Sequence, residues 1–149
     1  MGRTGIVYRD KTVKDTTVEQ GMTVEIIASR EQCDSGILFF GYGVLEPGCH
    51  TQPHVHDNCE IAWFLEEGRA LWAMGSADTG DVTLVECAQS NAGYVAPGEL
   101  HMLFNPDDSA RAVFLMAYVG VNNADDARGR PVALPDSLRR LIADRGFDH

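Results

Sequence analysis

The chain has 149 residues, 44% of them hydrophobic and 23% charged, and carries a formal net charge of −10. That length suits one domain able to bury a core without disulfides or a structural metal. The acidic balance excludes nucleic acid and anionic membranes as partners, since both need a basic footprint. No apolar run approaches the roughly 20 residues that span a bilayer.

The start, Met1-Gly2-Arg3-Thr4-Gly5-Ile6, lacks an apolar signal-peptide core, and Ile6 breaks the myristoylation pattern. The expected location is cytoplasmic. Cys33, Cys49, Cys59 and Cys87 show no CxxC spacing, so free thiols are expected rather than a zinc ribbon or redox pair.

Short runs rich in β-branched and aromatic residues follow in chain order: 23–28, 36–45, 60–65, 69–74, 82–87, 94–96, 101–105 and 112–121. Each is bounded by Gly, Pro, Asn or Asp, which marks it as a strand. Glu66-Glu67-Gly68 is expected to close a short hairpin, and the polar stretch 75–81 a longer loop. Many short strands at close spacing predict an all-β antiparallel sandwich or barrel. After an irregular connector, Leu138, Leu141 and Ile142 recur at helical spacing, with Asp136 or Ser137 as the expected cap and Gly146 as the stop. One domain over 1–149 is expected, with N-terminal strands in 1–35, the barrel core in 36–121 and the connector and helix in 122–149.

Four of the five histidines lie at 50, 54, 56 and 101. Side chains alternate along a strand, so His54 and His56 point to one face. The turn at Asp57-Asn58 would return Glu60 beside them, and His101 would add a third imidazole from another strand. Imidazoles with a carboxylate suit a divalent transition metal. His50 and Gln52 share the parity of the two ligands. His50 is therefore a candidate general base or hydrogen-bond donor, and Gln52 a candidate substrate contact. Along the following strand, Ala62 and Phe64 would share the inward face with Glu60, while Ile61, Trp63 and Leu65 would face another sheet or a partner subunit, predicting a homodimer. Tyr42, Phe64, Met116 and Tyr118 are candidate substrate-binding residues. Cys59 should point away from the metal.

These residues resemble the cupins. Gly48, five residues, His54-Val55-His56, three residues and Glu60 are similar to the first cupin motif; Gly98-Glu99-Leu100-His101, three residues and Asn105 are similar to the second. The resemblance implies a double-stranded β-helix, a jelly-roll barrel with a short C-terminal helix here. It also implies one divalent ion on His54, His56, Glu60 and His101. Three departures fall in turns: Gly68 arrives one residue late, predicting a bulge or wider turn; Ser90 replaces a glycine; and Ala96 replaces a proline, with Pro97 shifted by one. The expected function is a mononuclear metal enzyme acting on a small organic molecule. Dioxygenase-type chemistry on Fe(II) is favoured, with Lewis-acid isomerase, lyase or cyclase chemistry and Mn, Ni or Zn as alternatives. A non-catalytic ligand-binding or storage protein is the rival reading.

Overall fold

The computed structural model describes residues 4–146. Its strands are β1 (Val13–Asp15), β2 (Thr23–Ala28), β3 (Leu38–Leu45), β4 (His54–Val55), β5 (Glu60–Glu67), β6 (Arg69–Gly75), β7 (Val82–Ala88), β8 (Ala92–Val95), β9 (Leu100–Phe104), β10 (Ala112–Val119) and β11 (Arg130–Pro131). Three helices join them: α1 (Arg30–Cys33), α2 (Ala124–Ala127) and α3 (Asp136–Asp144). No helix among the described residues is long and apolar enough to cross a membrane.

The strands form two antiparallel sheets, ordered β1-β2-β3-β10-β5-β8 and β11-β4-β9-β6-β7. After β3 the chain changes sheet at every step between consecutive strands except β6 to β7. The inner faces interdigitate as in a sandwich. Val24, Phe39, Trp63, Phe114, Met116 and Tyr118 meet Trp72 and Leu103 in one buried cluster. Trp63 packs edge-on against Trp72 and Phe114, with centroids 4.9 and 5.6 Å apart.

The expected hairpin at Glu66-Glu67-Gly68 is instead a corner between sheets. Gly68 adopts φ +83°, and a Cβ there would lie 2.5 Å from the Arg111 carbonyl oxygen, so only glycine fits. The extra residue before it is absorbed as a bulge: Phe114 pairs with Leu65 but Val113 with Glu67, which leaves Glu66 over. Ser90 holds the left-handed conformation of the glycine it replaces, at φ +74°.

The outer face of the second sheet is covered by the chain itself. Leu138 and Ile142 of α3, with Val132 and Leu134, pack on Val55, Leu71, Ala73, Leu100, Met102 and Phe104. The helix stops as expected before Gly146, at φ +81°. Its start differs: neither Asp136 nor Ser137 caps it, and Pro135 precedes the first turn without a side-chain cap. The Ser137 hydroxyl donates to the Gly80 carbonyl at 2.6 Å, tying the helix to the β6–β7 loop.

Candidate metal centre

His54 and His101 are direct partners across β4 and β9. Opposite residues in antiparallel strands bring their side chains together, and the two imidazole centroids lie 4.2 Å apart. His56, two residues on, shares the face of His54 and stacks on His101 at 5.2 Å. All three rings are buried, between 1% and 4% exposed.

The carboxylate that joins them is Glu19, 3% exposed. It comes from the β1–β2 loop, which folds over the barrel end. Asp15 starts the loop by accepting from the Thr17 N–H at 2.6 Å and the Val18 N–H at 3.1 Å. The loop is then stitched to the chain on both sides of β4. The Gln52 N–H donates to the Gln20 carbonyl at 2.8 Å, and the Gly129 N–H to the Val18 carbonyl at 3.0 Å. Two glycines make these approaches possible. A Cβ on Gly21 would lie 2.2 Å from the His50 carbonyl oxygen, and one on Gly129 would lie 2.4 Å from His54 Cδ2.

One donor atom from each of Glu19, His54, His56 and His101 lies within 4.8 Å of the others. Ligands about 2.0–2.2 Å from one ion lie up to ~4.4 Å apart, so the cluster needs little adjustment to enclose one. The protonation pattern agrees. His54 Nδ1 lies 2.6 Å from the Gln52 carbonyl and His101 Nδ1 3.2 Å from the Glu99 carbonyl. A carbonyl only accepts, so each Nδ1 carries a proton and Nε2 is the nitrogen left to face an ion. Glu19 Oε2 and His54 Nε2 are buried with no hydrogen-bond partner, although they stand only 2.6 Å apart. A carboxylate and an imidazole nitrogen that close are balanced by a proton on the imidazole or by a cation beside them. These residues fit a divalent metal.

The remaining contacts hold the carboxylate in place. The Tyr118 hydroxyl donates to Glu19 Oε1 at 2.6 Å, and His56 Nε2 lies 3.1 Å from the same oxygen. Burial disfavours the Glu19 charge, but attraction to His54 and the closeness of the His54 and His56 nitrogens outweigh it and hold its pKa well below the carboxylate range. Burial also works against protonation of His54, and the Glu19 charge reverses it, so the His54 pKa is raised. His101 is pushed down to about 3, first by burial and then by repulsion from His54. Burial beside Glu19 pushes the Tyr118 hydroxyl well above its ordinary range.

Several expectations require correction. Glu60 is not in the cluster: it is exposed on the outer face of β5, where its carboxylate accepts from the Tyr94 hydroxyl at 3.0 Å. The strand is turned the other way from the sequence reading. Ile61, Trp63 and Leu65 are buried, while Ala62 and Phe64 face outward with Glu60. The bulkier apolar set wins the core because it removes more surface from water. That alternation was the signal against Glu60; nothing in the sequence around Glu19 marks it as its replacement. Cys59 follows the same parity inward, and burial, then the Glu19 charge, push its thiol up to about 11.

His50 and Gln52 are not brought to the cluster either. They line a separate cavity of about 480 Å³ with Gln20, Met102 and Arg139. Pro53 breaks the extended parity, and Thr51, not Gln52, is buried. The His50 Nδ1 lies 2.9 Å from the Thr51 carbonyl, and its ring packs on Phe104. Tyr42 lies on the outer face under the Arg9 guanidinium, 4.5 Å from its carbon. Of the proposed substrate contacts, only Tyr118 and its neighbour Met116 lie inside, with the Tyr118 hydroxyl 3.8 Å from the Met116 sulfur.

The cavity that does reach the cluster opens beside His101. It encloses about 410 Å³, within the usual range for small-molecule sites.

No sequence profile of a known family matches the chain, and no curated protein matches it. Solved structures do. Peruvianin-I, a cysteine peptidase from Thevetia peruviana latex, superposes with a TM-score of 0.68 at 20% identity, over 87% of this chain and 77% of that one. The polyketide cyclase RemF from Streptomyces resistomycificus gives 0.64 at 16% identity, over 94% and 93%. A predicted oxalate decarboxylase from Thermotoga maritima gives 0.62 at 16% identity, over 78% and 100%. The fold is that of the cupins. At these identities the likeness speaks for the double-stranded β-helix alone. The three histidines expected from the cupin motifs are together; the carboxylate beside them comes from outside those motifs.

Proposed function

We propose that this protein is a metal-dependent cupin enzyme acting on a small organic molecule, with dioxygenase-type chemistry on Fe(II) as the first assignment. The observation that carries it is the convergence of four buried donors, three of them with unsatisfied atoms, at a cavity beside His101. A divalent ion held there supplies a Lewis acid, and iron adds redox chemistry with dioxygen. The protein's own groups do the rest. The Gln52 and Glu99 carbonyls fix two imidazoles, and the Tyr118 hydroxyl holds Glu19.

A second reading is Lewis-acid cyclase, isomerase or lyase chemistry on Zn, Ni or Mn. Two carboxylates favour it: Asp81 and Glu99 line the cavity, where they can accept a proton from a bound substrate. The similarity to a polyketide cyclase over nearly the whole of both chains agrees with it.

Elemental analysis of untagged protein purified without added metal, followed by turnover and oxygen-uptake assays on a panel of small organic compounds, tests these readings. Iron with oxygen uptake supports the first. Zinc or nickel with turnover but no oxygen uptake moves the assignment to the second. Stoichiometric metal without turnover favours the storage or carrier reading, and metal below trace level sinks all three.

The outer face of the six-stranded sheet supports a further proposal, that two copies pair through it. Phe64, Tyr94 and Val119 are exposed there, with Phe40 and Leu115 half-buried beside them. The chain covers the opposite sheet with its own α3, whereas here Arg9 lies over Tyr42 and leaves Phe64, Tyr94 and Val119 exposed. A two-fold dimer sets one patch against its own copy, and the apolar patch around Phe64 suits such a contact.

A further inference from the structure

The cavity of about 480 Å³ that holds His50 and Gln52 lies outside the barrel, between the second sheet, the connector and α3. Neighbours on a strand point to opposite faces. On β9, His101 turns inward to the metal cluster, whereas Met102 turns outward and packs with Leu138 and Ile142 of α3. The sheet itself therefore separates this cavity from the metal centre. Its apolar lining is Met102 and Pro53, both buried, with Val132 and Leu134 half-buried.

The polar lining is of one kind. Arg139 of α3 faces the cavity, and the other polar residues are Gln20, His50 and Gln52, none of which can carry negative charge. No aspartate or glutamate lines it. Every other described arginine except Arg140 pairs with a carboxylate. Arg139 has no ion pair and no side-chain hydrogen bond among the described residues, not even with Asp136 one turn before it. In a chain of net charge −10 that pairing pattern makes Arg139 the exception. Charges beyond about 8 Å are largely screened at physiological salt, so the lining residues set the local sign. A guanidinium fork matches a carboxylate with two parallel hydrogen bonds.

We propose that this cavity is a second ligand site, distinct from the metal centre, for a small carboxylate with an apolar body. The carboxylate takes the Arg139 fork, and the body rests on Met102, Pro53 and Leu134. His50 and Gln52, which the metal centre leaves aside, line this site instead.

Calorimetric titration of phenylacetate and of phenylacetamide tests this, since the two share a shape and only the first is charged. On the protein as purified, phenylacetate should bind about tenfold tighter or more, the worth of a charge-assisted hydrogen bond. Arg139→Gln changes an exposed helical side chain, so it leaves the fold intact and should remove that preference. Phenylacetate affinity should survive chelator treatment, because the sheet stands between the cavity and the cluster. Equal binding of the two ligands overturns the proposal. So does an unchanged preference in Arg139→Gln, or failure of phenylacetate to bind below millimolar concentration. Phenylacetate binding that is lost with the metal and kept in Arg139→Gln puts the carboxylate on the ion. That outcome removes the second site and leaves the metal reading standing.

Discussion

A carboxylate sealed among three imidazoles is tolerable only when a cation or shared protons balance it. Glu19 therefore matters more to this site than its place in an unremarked loop suggests. Replacing it by Gln should lower metal occupancy to a small fraction of that of the unaltered protein, because the amide removes the anionic donor. Glu60→Gln should leave occupancy unchanged, since that side chain lies outside on β5. Elemental analysis of both variants checks the pair; loss of metal in Glu60→Gln alone would restore Glu60 as the ligand. The same residues make the metal-free protein sensitive to acid. His101 has its pKa lowered from 6.5 to about 3 in the folded state, whereas the unfolded chain takes up that proton near ~6.5. Between those values the unfolded state binds the extra proton, so stability present at neutral pH is lost as pH falls through the window. His54 opposes this only above ~6.5, where its raised pKa lets the folded state hold the extra proton; below that it is protonated in both states. Denaturant unfolding of chelator-treated protein should show lower stability at pH 4.5 than at about pH 6, and equal stability would refute the buried neutral imidazole.

At the level of elements, the site depends on how closely loops approach β4. Gly129 lies against the His54 ring, where a methyl group would stand 2.4 Å from Cδ2. Gly129→Ala should push the imidazole aside and weaken metal binding about 10–100-fold, as loss of supporting contacts does elsewhere. Competition with a chromophoric chelator measures this, and the expected far-UV spectrum is unchanged. Ser90 gives the opposite case. Its φ of +74° suits glycine, and relief of left-handed strain outweighs the extra freedom glycine has when unfolded. Ser90→Gly should therefore stabilise the fold by up to about 1 kcal/mol, readable as a higher denaturation midpoint at unchanged slope. The strand runs were legible in the sequence because alternation and turn residues mark them locally. The corner at Gly68 was not, since a sheet crossing and a hairpin use the same turn residues.

Across the whole molecule, the two sheets differ in what covers them. α3 and the connector close one outer face, and the other presents Phe64, Tyr94 and Val119 to solvent. Phe64→Arg should convert the dimer proposed above to monomer in sedimentation velocity, with metal content retained because the side chain points away from the cluster. An unaltered protein that sediments as a monomer at micromolar concentration would refute the pairing.

The metal centre read from His54, His56, Glu60 and His101 keeps its three imidazoles in the structure, with Glu19 in place of Glu60. The sequence by itself determined them, because residues two apart on an extended strand share a face and the turn signals place His101 on a neighbouring strand. It also determined the barrel, through periodicity that each strand carries locally. Only the tertiary structure decided the fourth group. Glu60 and Glu19 are both glutamates near apolar residues, and what separates them is competition for the interior. Ile61, Trp63 and Leu65 together bury more apolar surface than Ala62 and Phe64, so β5 turns Glu60 outward. Glu19 fills the place from a loop 35 residues before His54, a contact that no local pattern encodes.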